Sequence, residues 1–131
     1  MQEKHTIHIV DDDAFLLDMY TLKFKEKGFR VNSSSSGEEV LSKLREGATP
    51  DVMLFDIVMP GVDGLELLDT IKKEKLAKGV LLVALSNQGE DRDIEIAKEH
   101  GADEYIVKAD MVPSEVLETV SNIISKHLTS K

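Results

Sequence analysis

Five times along this chain a short apolar run gives way to a longer amphipathic stretch, and that alternation restricts the fold more than any other feature. Residues 6–10 are β-rich and end in three aspartates. Residues 14–27 carry two sets of apolar side chains at helical spacings, Phe15, Leu16, Met19, Leu22 and Leu17, Tyr20, Phe24, with Gly28 as the stop. Residues 29–32 read as a weaker strand and the serine run 33–36 as a loop. Ser36 with Glu39 matches a capping box that opens a helix running to Leu44. Residues 51–56 form a short apolar strand closed by an acid, and Met-Pro and Asp-Gly mark residues 59–64 as a loop. A third helix puts Leu65, Leu68 and Ile71 on one face, with Leu67 beside it. Residues 80–85 are almost purely apolar, as in a strand buried on both sides. Residues 91–100 make a short helix with little apolar surface, mainly Ile94, Ile96 and Ala97, followed by a fifth strand over residues 104–107. Pro113 opens a last helix whose stripe is Val116, Leu117, Val120, Ile123, Ile124 and Leu128.

Strict β/α alternation implies a parallel sheet with helices on both faces, a doubly wound three-layer α/β sandwich. Right-handed crossovers leave few topologies for five strands, and the common order is 2-1-3-4-5. At 131 residues the chain fits a single domain, 1–131, with its core over about residues 6–128 and only a few disordered residues at the ends.

Charge and composition narrow the function. With 25 acidic and 16 basic side chains the net charge is −9, which offers little of the counterion release that drives nucleic-acid binding, so no direct DNA contact is expected. The chain has no cysteine, which excludes disulfides and thiolate metal sites. No apolar run approaches the roughly 20 residues that span a bilayer, and the polar residues 1–6 lack a signal-peptide core. A cytoplasmic location is expected.

Five polar residues stand at the ends of apolar strands: Asp11 and Asp12 after the first, Asp56 closing the third, Ser86 after the fourth and Lys108 after the fifth. In an open α/β sheet, ligands bind beyond the carboxyl ends of the strands, between strands 1 and 3, so the spacing predicts that all five meet at one crevice. Three close carboxylates need a cation, and an oxygen-only ligand set suits Mg²⁺. An aspartate is an established phosphoryl acceptor, and transfer needs charge neutralisation around the moving oxygens, which Mg²⁺, Lys108 and Ser86 could supply to Asp56. Taken singly these residues are bland. A strand-end aspartate is usually a turn former or helix cap, the reading preferred for Asp13, while for Asp11 or Asp12 alone the cap and the ligand reading stand level. Asp56 differs, because an acid flanked by Leu54-Phe55 and Ile57-Val58 is costly unless metal or hydrogen bonds hold it. His5, His8, His100 and His127 show no metal-ligand spacing and read as structural, and the five methionines read as core filler.

At this point the chain resembles the receiver domains of response regulators. The matching text is Ile-Val-Asp-Asp ending at Asp12, Asp-Ile-Val-Met-Pro-Gly-Val-Asp-Gly from Asp56, Ala-Leu-Ser ending at Ser86, and Gly-Ala-Asp-Glu-Tyr-Ile-Val-Lys ending at Lys108, in order and over essentially the whole chain. The resemblance implies the flavodoxin-like order of strands. It implies Asp56 as phosphoacceptor, with Asp12, Asp56 and the Val58 backbone carbonyl ligating Mg²⁺ and Asp11 helping directly or through water. Lys108 would pair with the phosphoryl group, Ser86 would hydrogen-bond it and draw its loop inward, and Tyr105 would change rotamer as Ser86 moves. The donor would be a phosphohistidine on a histidine kinase or phosphotransfer protein. A face of helix 4, strand 5 and helix 5 would signal to a downstream protein, and the chain would be a switch rather than an enzyme. The oligomeric state implied is a monomer or a phosphorylation-dependent dimer, with Lys126 as the only Lys or Arg of the last helix and no charge-paired dimer face.

Two positions depart from the family. Ala109 follows Lys108 where proline is usual, so either that bond is cis at a cost of about 2.5–4 kcal/mol or the loop is rearranged. Val58 has no side chain to orient water, so self-dephosphorylation is expected to be slow, partly offset if Gln88 reaches the site. Rival readings are a phosphatase of the haloacid-dehalogenase type, using Asp11 and Asp13 as its acid pair, and a binding module that ignores phosphorylation. The first lacks a late acidic pair and a cap insertion, and a flavodoxin-like cofactor binder lacks a phosphate cradle after strand 1.

Overall fold

In the computed structural model, residues 5–128 are described. The readings of the N-terminal segment and of the disordered ends fall largely outside that range. The order of elements is β1 Thr6–Val10, α1 Ala14–Glu26, β2 Arg30–Ser34, α2 Gly37–Arg45, β3 Val52–Phe55, α3 Gly64–Glu74, β4 Leu81–Ser86, α4 Asp91–Glu99, β5 Glu104–Val107 and α5 Pro113–Leu128, with a 3-10 turn, Lys108–Asp110, between β5 and α5. The strands form one parallel sheet in the order β2-β1-β3-β4-β5. The expected doubly wound, flavodoxin-like arrangement is therefore what this sequence adopts. No helix among the described residues is long and apolar enough to cross a membrane.

The sheet separates two apolar clusters. One packs Leu17, Tyr20 and Phe24 of α1 and Val116, Val120 and Ile124 of α5 against Ile7, Ile9, Val52, Leu54 and Val83. The other packs Val40, Leu41 and Leu44 of α2, Leu67, Leu68 and Ile71 of α3 and Ala97 of α4 against Val10, Met53, Phe55 and Ala84. Alternate residues of β1 and β3 thus feed opposite layers, as period-two strands require. Between the two apolar sets of α1, burial selects Leu17, Tyr20 and Phe24 and leaves Phe15 and Leu22 exposed. In α3 the buried face runs through Leu67, Leu68 and Ile71, so Leu67 rather than Leu65 holds the central place.

The serine run corrects the sequence reading. Ser33 and Ser34 are not loop but the end of β2, paired with Ile9 and Val10. The strand is longer than its apolar residues suggest because it lies at the sheet edge, where alternate side chains face water and serine is tolerated. Ser36 does cap α2, accepting from the Glu39 N–H at 3.0 Å. The return half of the box is displaced by one residue, since the Glu39 carboxylate accepts from the Ser35 N–H at 2.7 Å rather than from Ser36. Asp13 caps α1 and Asp63 caps α3, each accepting from the N–H three residues on, at 3.1 and 2.9 Å. Such a cap stabilises a helix by about 1 kcal/mol.

The histidines sit as structural residues. His8 is buried and its Nε2 lies 2.7 Å from Ser34 Oγ. His100 pairs with Asp69 at 2.6 Å and His127 with Glu104 at 2.9 Å, while His5 lies 3.5 Å from Asp51. Met53 and Met59 are core residues, whereas Met19 and Met111 are only half-buried and Met1 lies outside the described residues.

Candidate functional site

Strand register assembles the site. Val10 pairs with Phe55, so the residues that follow, Asp11 and Asp56, leave adjacent strands side by side. Ser86 pairs with Val107, which brings Lys108 up on the far side of β4. The Lys108 side chain reaches back across that edge. Its Nζ donates to Asp11 Oδ2 at 3.1 Å and to Asp56 Oδ2 at 3.0 Å. All three residues are buried, Asp11 at 2 % exposure and Asp56 and Lys108 at 8 %.

Two acids and one ammonium in so little water are costly unless their remaining valences are filled. Backbone donors fill them. The Asp13 N–H donates to Asp11 Oδ1 at 2.9 Å and the Val58 N–H donates to Asp56 Oδ1 at 3.2 Å. Burial pushes the Asp11 carboxyl above its ordinary value, against the pull of the Asp13 N–H and the Lys108 charge. For Lys108, burial alone would lower the ammonium's proton affinity. The hydrogen bond to Asp56 and the charges of Asp56 and Asp11 outweigh it, and the net shift is upward. Lys108 is therefore held protonated between the two acids.

Asp12 is exposed on the rim, and one oxygen each of Asp11, Asp12 and Asp56 lie within 4.8 Å of one another. Three carboxylate oxygens at that spacing, one group open to water, suit a hard cation that keeps part of its hydration shell. Val58 meets Asp56 through its N–H, and its side chain is 57 % exposed beside the site. Asp13 has a different job. It is exposed and its carboxylate caps α1, which removes it as the second member of an acid pair with Asp11.

Ser86 is fully buried at the end of β4, and its Oγ accepts from the Gln88 N–H at 3.2 Å. Tyr105, half-buried on β5, donates its hydroxyl to the Gln88 carbonyl at 2.6 Å. Burial raises the Tyr105 hydroxyl above its ordinary value, which keeps it a donor. Together the two residues hold Gln88 of the β4–α4 loop, one at its N–H and the other at its carbonyl. Gln88 enters this pair through its backbone, with its side chain exposed. The Lys108–Ala109 bond is trans, no cis bond occurring among the described residues, and the loop turns instead through Lys108–Asp110. Of the two alternatives left by the missing proline, this structure takes the second.

Two supporting residues escaped the sequence reading. Ser34 accepts the Asp11 N–H through its carbonyl at 3.2 Å, and a backbone acceptor leaves no trace in residue type. Gly64 carried a signal that was read only as a turn. A Cβ there would fall 2.6 Å from both the Asp56 carbonyl oxygen and the Ile57 Cα, so α3 can start against the β3–α3 loop only with glycine in that place.

Residues 7–121 match the family model described as the response regulator receiver domain. Among curated proteins, the chain is 34% identical over 100 residues to the transcriptional regulatory protein AfsQ1 of Streptomyces coelicolor, covering 76% of this chain and 43% of that protein. It is 30% identical over 118 residues to the response regulator SaeR of Staphylococcus aureus, covering 90% of this chain and 50% of that one. The chain spans about half the length of the curated relatives it matches. Among solved structures, the CheY-like response regulator receiver domain protein of Methanospirillum hungatei superposes with a TM-score of 0.82 at 27% identity, over 95% of this chain and 97% of that one.

Proposed function

The chain belongs to the response regulator receiver family, a two-component signalling family and not a classical enzyme family, and from that premise we propose that Asp56 is its phosphoacceptor. The observation that carries the reading is the buried Asp11–Lys108–Asp56 bridge, in which each acid meets both the Lys108 ammonium and a backbone N–H, with Asp56 placed between Asp11 on one neighbouring strand and Lys108 reaching across the other. An Asp56 carboxylate oxygen forms a bond to phosphorus as the P–N bond of a phosphohistidine breaks. The electron pair returns to the imidazole, which takes up a proton. Lys108 already stands at Asp56 and follows the new phosphoryl oxygens. The Ser86 hydroxyl, whose oxygen accepts from the Gln88 N–H, donates its proton to one of them, and the loop comes inward.

Asp11, Asp12, Asp56 and the Val58 carbonyl are the proposed Mg²⁺ ligands. When bound, the ion supplies neutralising charge to the transferred oxygens. The donor is a histidine kinase or a phosphotransfer protein. The output is a change at the face of α4, β5 and α5, read by a downstream protein target, with the chain acting as a monomer or a phosphorylation-dependent dimer in the cytoplasm. Loss of the Gln88–Tyr105 contact as the loop moves would free the Tyr105 ring to change rotamer. The phosphatase reading loses its second acid, because Asp13 is engaged in capping.

Radiolabelled phosphoramidate, a small donor with a P–N bond, tests this. With Mg²⁺ the protein should take up label that hydroxylamine removes, as an acyl phosphate does, and chelation should abolish uptake. Label that survives hydroxylamine, or uptake indifferent to chelation, contradicts the proposal.

A further inference from the structure

The acceptor loop between β3 and α3 touches α2 as well as its own strand and helix. Gly37, the first residue of α2, is buried against Val62 of that loop. A Cβ built at Gly37 would lie 2.6 Å from the Val62 carbonyl oxygen and 2.9 Å from Val62 Cβ and Cγ1. Gly37 is not among the positive-φ glycines, so its backbone conformation does not call for glycine. Helix propensity argues against it, since alanine is the better helix former. Only the approach of Val62 requires a bare Cα. Next to this contact Gly61, at φ +75°, faces the Glu38 carboxylate, with Oε1 3.4 Å from where a Cβ would be. The first turn of α2 thus seats the crest of the loop whose start carries Asp56 and Val58.

The same corner of the fold holds the other half of the site. Ser34, three residues before Gly37, accepts the Asp11 N–H at 3.2 Å. Ser36 and Glu39 fix the turn between them, through the Glu39 N–H to Ser36 Oγ bond and the Ser35 N–H to Glu39 carboxylate bond. We infer that Gly37 is a positioning residue for the acidic site: the β2–α2 corner is a bracket that holds the Asp11 side and the Asp56–Val58 side at one separation, and the Gly37–Val62 contact sets that separation. This rests on the Mg²⁺-dependent acceptor reading given above. Gly37 touches no reacting group and acts only through the loop.

The test compares Mg²⁺ binding by isothermal titration calorimetry in wild type, Gly37→Ala, Gly37→Ala with Val62→Gly, and Gly47→Ala, beside phosphoryl uptake by the wild type. Gly47 has φ +107° and nothing within 4 Å of its Cβ position, so its substitution strains the backbone at the other end of α2 without crowding the loop. Gly37→Ala should bind Mg²⁺ about tenfold more weakly, the order expected for a residue that supports a metal ligand. Because the closest atom, at 2.6 Å, is the Val62 carbonyl oxygen, removing the Val62 side chain as well should leave the loss in place, and Gly47→Ala should bind as the wild type does. If Gly37→Ala does not fold, Val62→Gly alone carries the test, because it empties the same seat from the loop side and should itself weaken binding. Wild-type affinity in a folded Gly37→Ala or in Val62→Gly, or an equal loss in Gly47→Ala, overturns the inference. A wild type that takes no phosphoryl group overturns the reading beneath it instead.

Discussion

His8 shows how a residue outside the chemistry constrains the chain. It lies in the middle of β1, buried, with Ser34 Oγ at 2.7 Å. Burial and the nearby Lys43 charge, against a smaller pull from Glu39, lower its pKa from 6.5 to about 4. The folded state therefore holds the ring neutral while the unfolded chain takes up a proton below pH 6.5. Stability from this residue is complete above pH 6.5 and is lost as the pH falls toward 4, by about 2–3 kcal/mol between pH 7 and pH 4.5. Urea denaturation of wild type and His8→Gln at those two pH values should show the wild type losing that much more than the variant. Equal losses would mean His8 titrates normally in the fold. Val58 carries a different expectation. Its exposed apolar side chain sits beside Asp56 and offers no group to orient water, so the phosphorylated protein should hydrolyse slowly. Val58→Asn should speed hydrolysis roughly tenfold or more, as an added polar group positioned for water can. The Gln88 side chain is exposed and only its backbone is engaged, so Gln88→Ala should leave that slow rate unchanged. A fast time course in wild type, or one that Gln88→Ala slows, would remove this account.

Among the elements, α4 is the one with least to hold it. Ala97 is its only buried residue, whereas α5 buries Val116, Leu117, Val120 and Ile124. Its start is tied through the β4–α4 loop to Ser86 and Tyr105, and its end through His100 to Asp69 on α3. Local opening is easiest where few apolar contacts must break. Hydrogen exchange should therefore be faster in α4 than in α5, and phosphorylation of Asp56 should change protection in α4 and the preceding loop more than in α5. Uniform protection across both helices would argue that α4 is not the switching element. The poor anchoring of α4 was legible in its sequence, because few of its residues are apolar. The length of β2 was not, because an edge strand needs no apolar run and Ser33 and Ser34 look like loop. The face of α1 was legible only as two competing sets, since nothing local separates Leu17-Tyr20-Phe24 from Phe15-Met19-Leu22, and the sheet beneath decides.

For the whole molecule, alternation of apolar runs fixes the class, and the parallel crossover rules leave few strand orders, of which the common one is observed. The meeting of Asp11, Asp12, Asp56 and Lys108 was legible because ligands in this fold gather at the carboxyl edge of the sheet, where strand-end positions converge, while Ser86 ends the neighbouring strand with its Oγ bonded to the Gln88 N–H. What the sequence withheld are contacts made by backbone or by the lack of a side chain: Ser34 to Asp11, Gly64 against Asp56, and the trans turn that carries Lys108 home without a proline. The account stands or falls on Asp56. Intact-protein mass after incubation with Mg²⁺ and acetyl phosphate, wild type beside Asp56→Asn, reads it most directly. One added phosphoryl group in the wild type and none in the variant is the predicted result. No adduct on the wild type, or equal adducts on both, would contradict Asp56 as the acceptor.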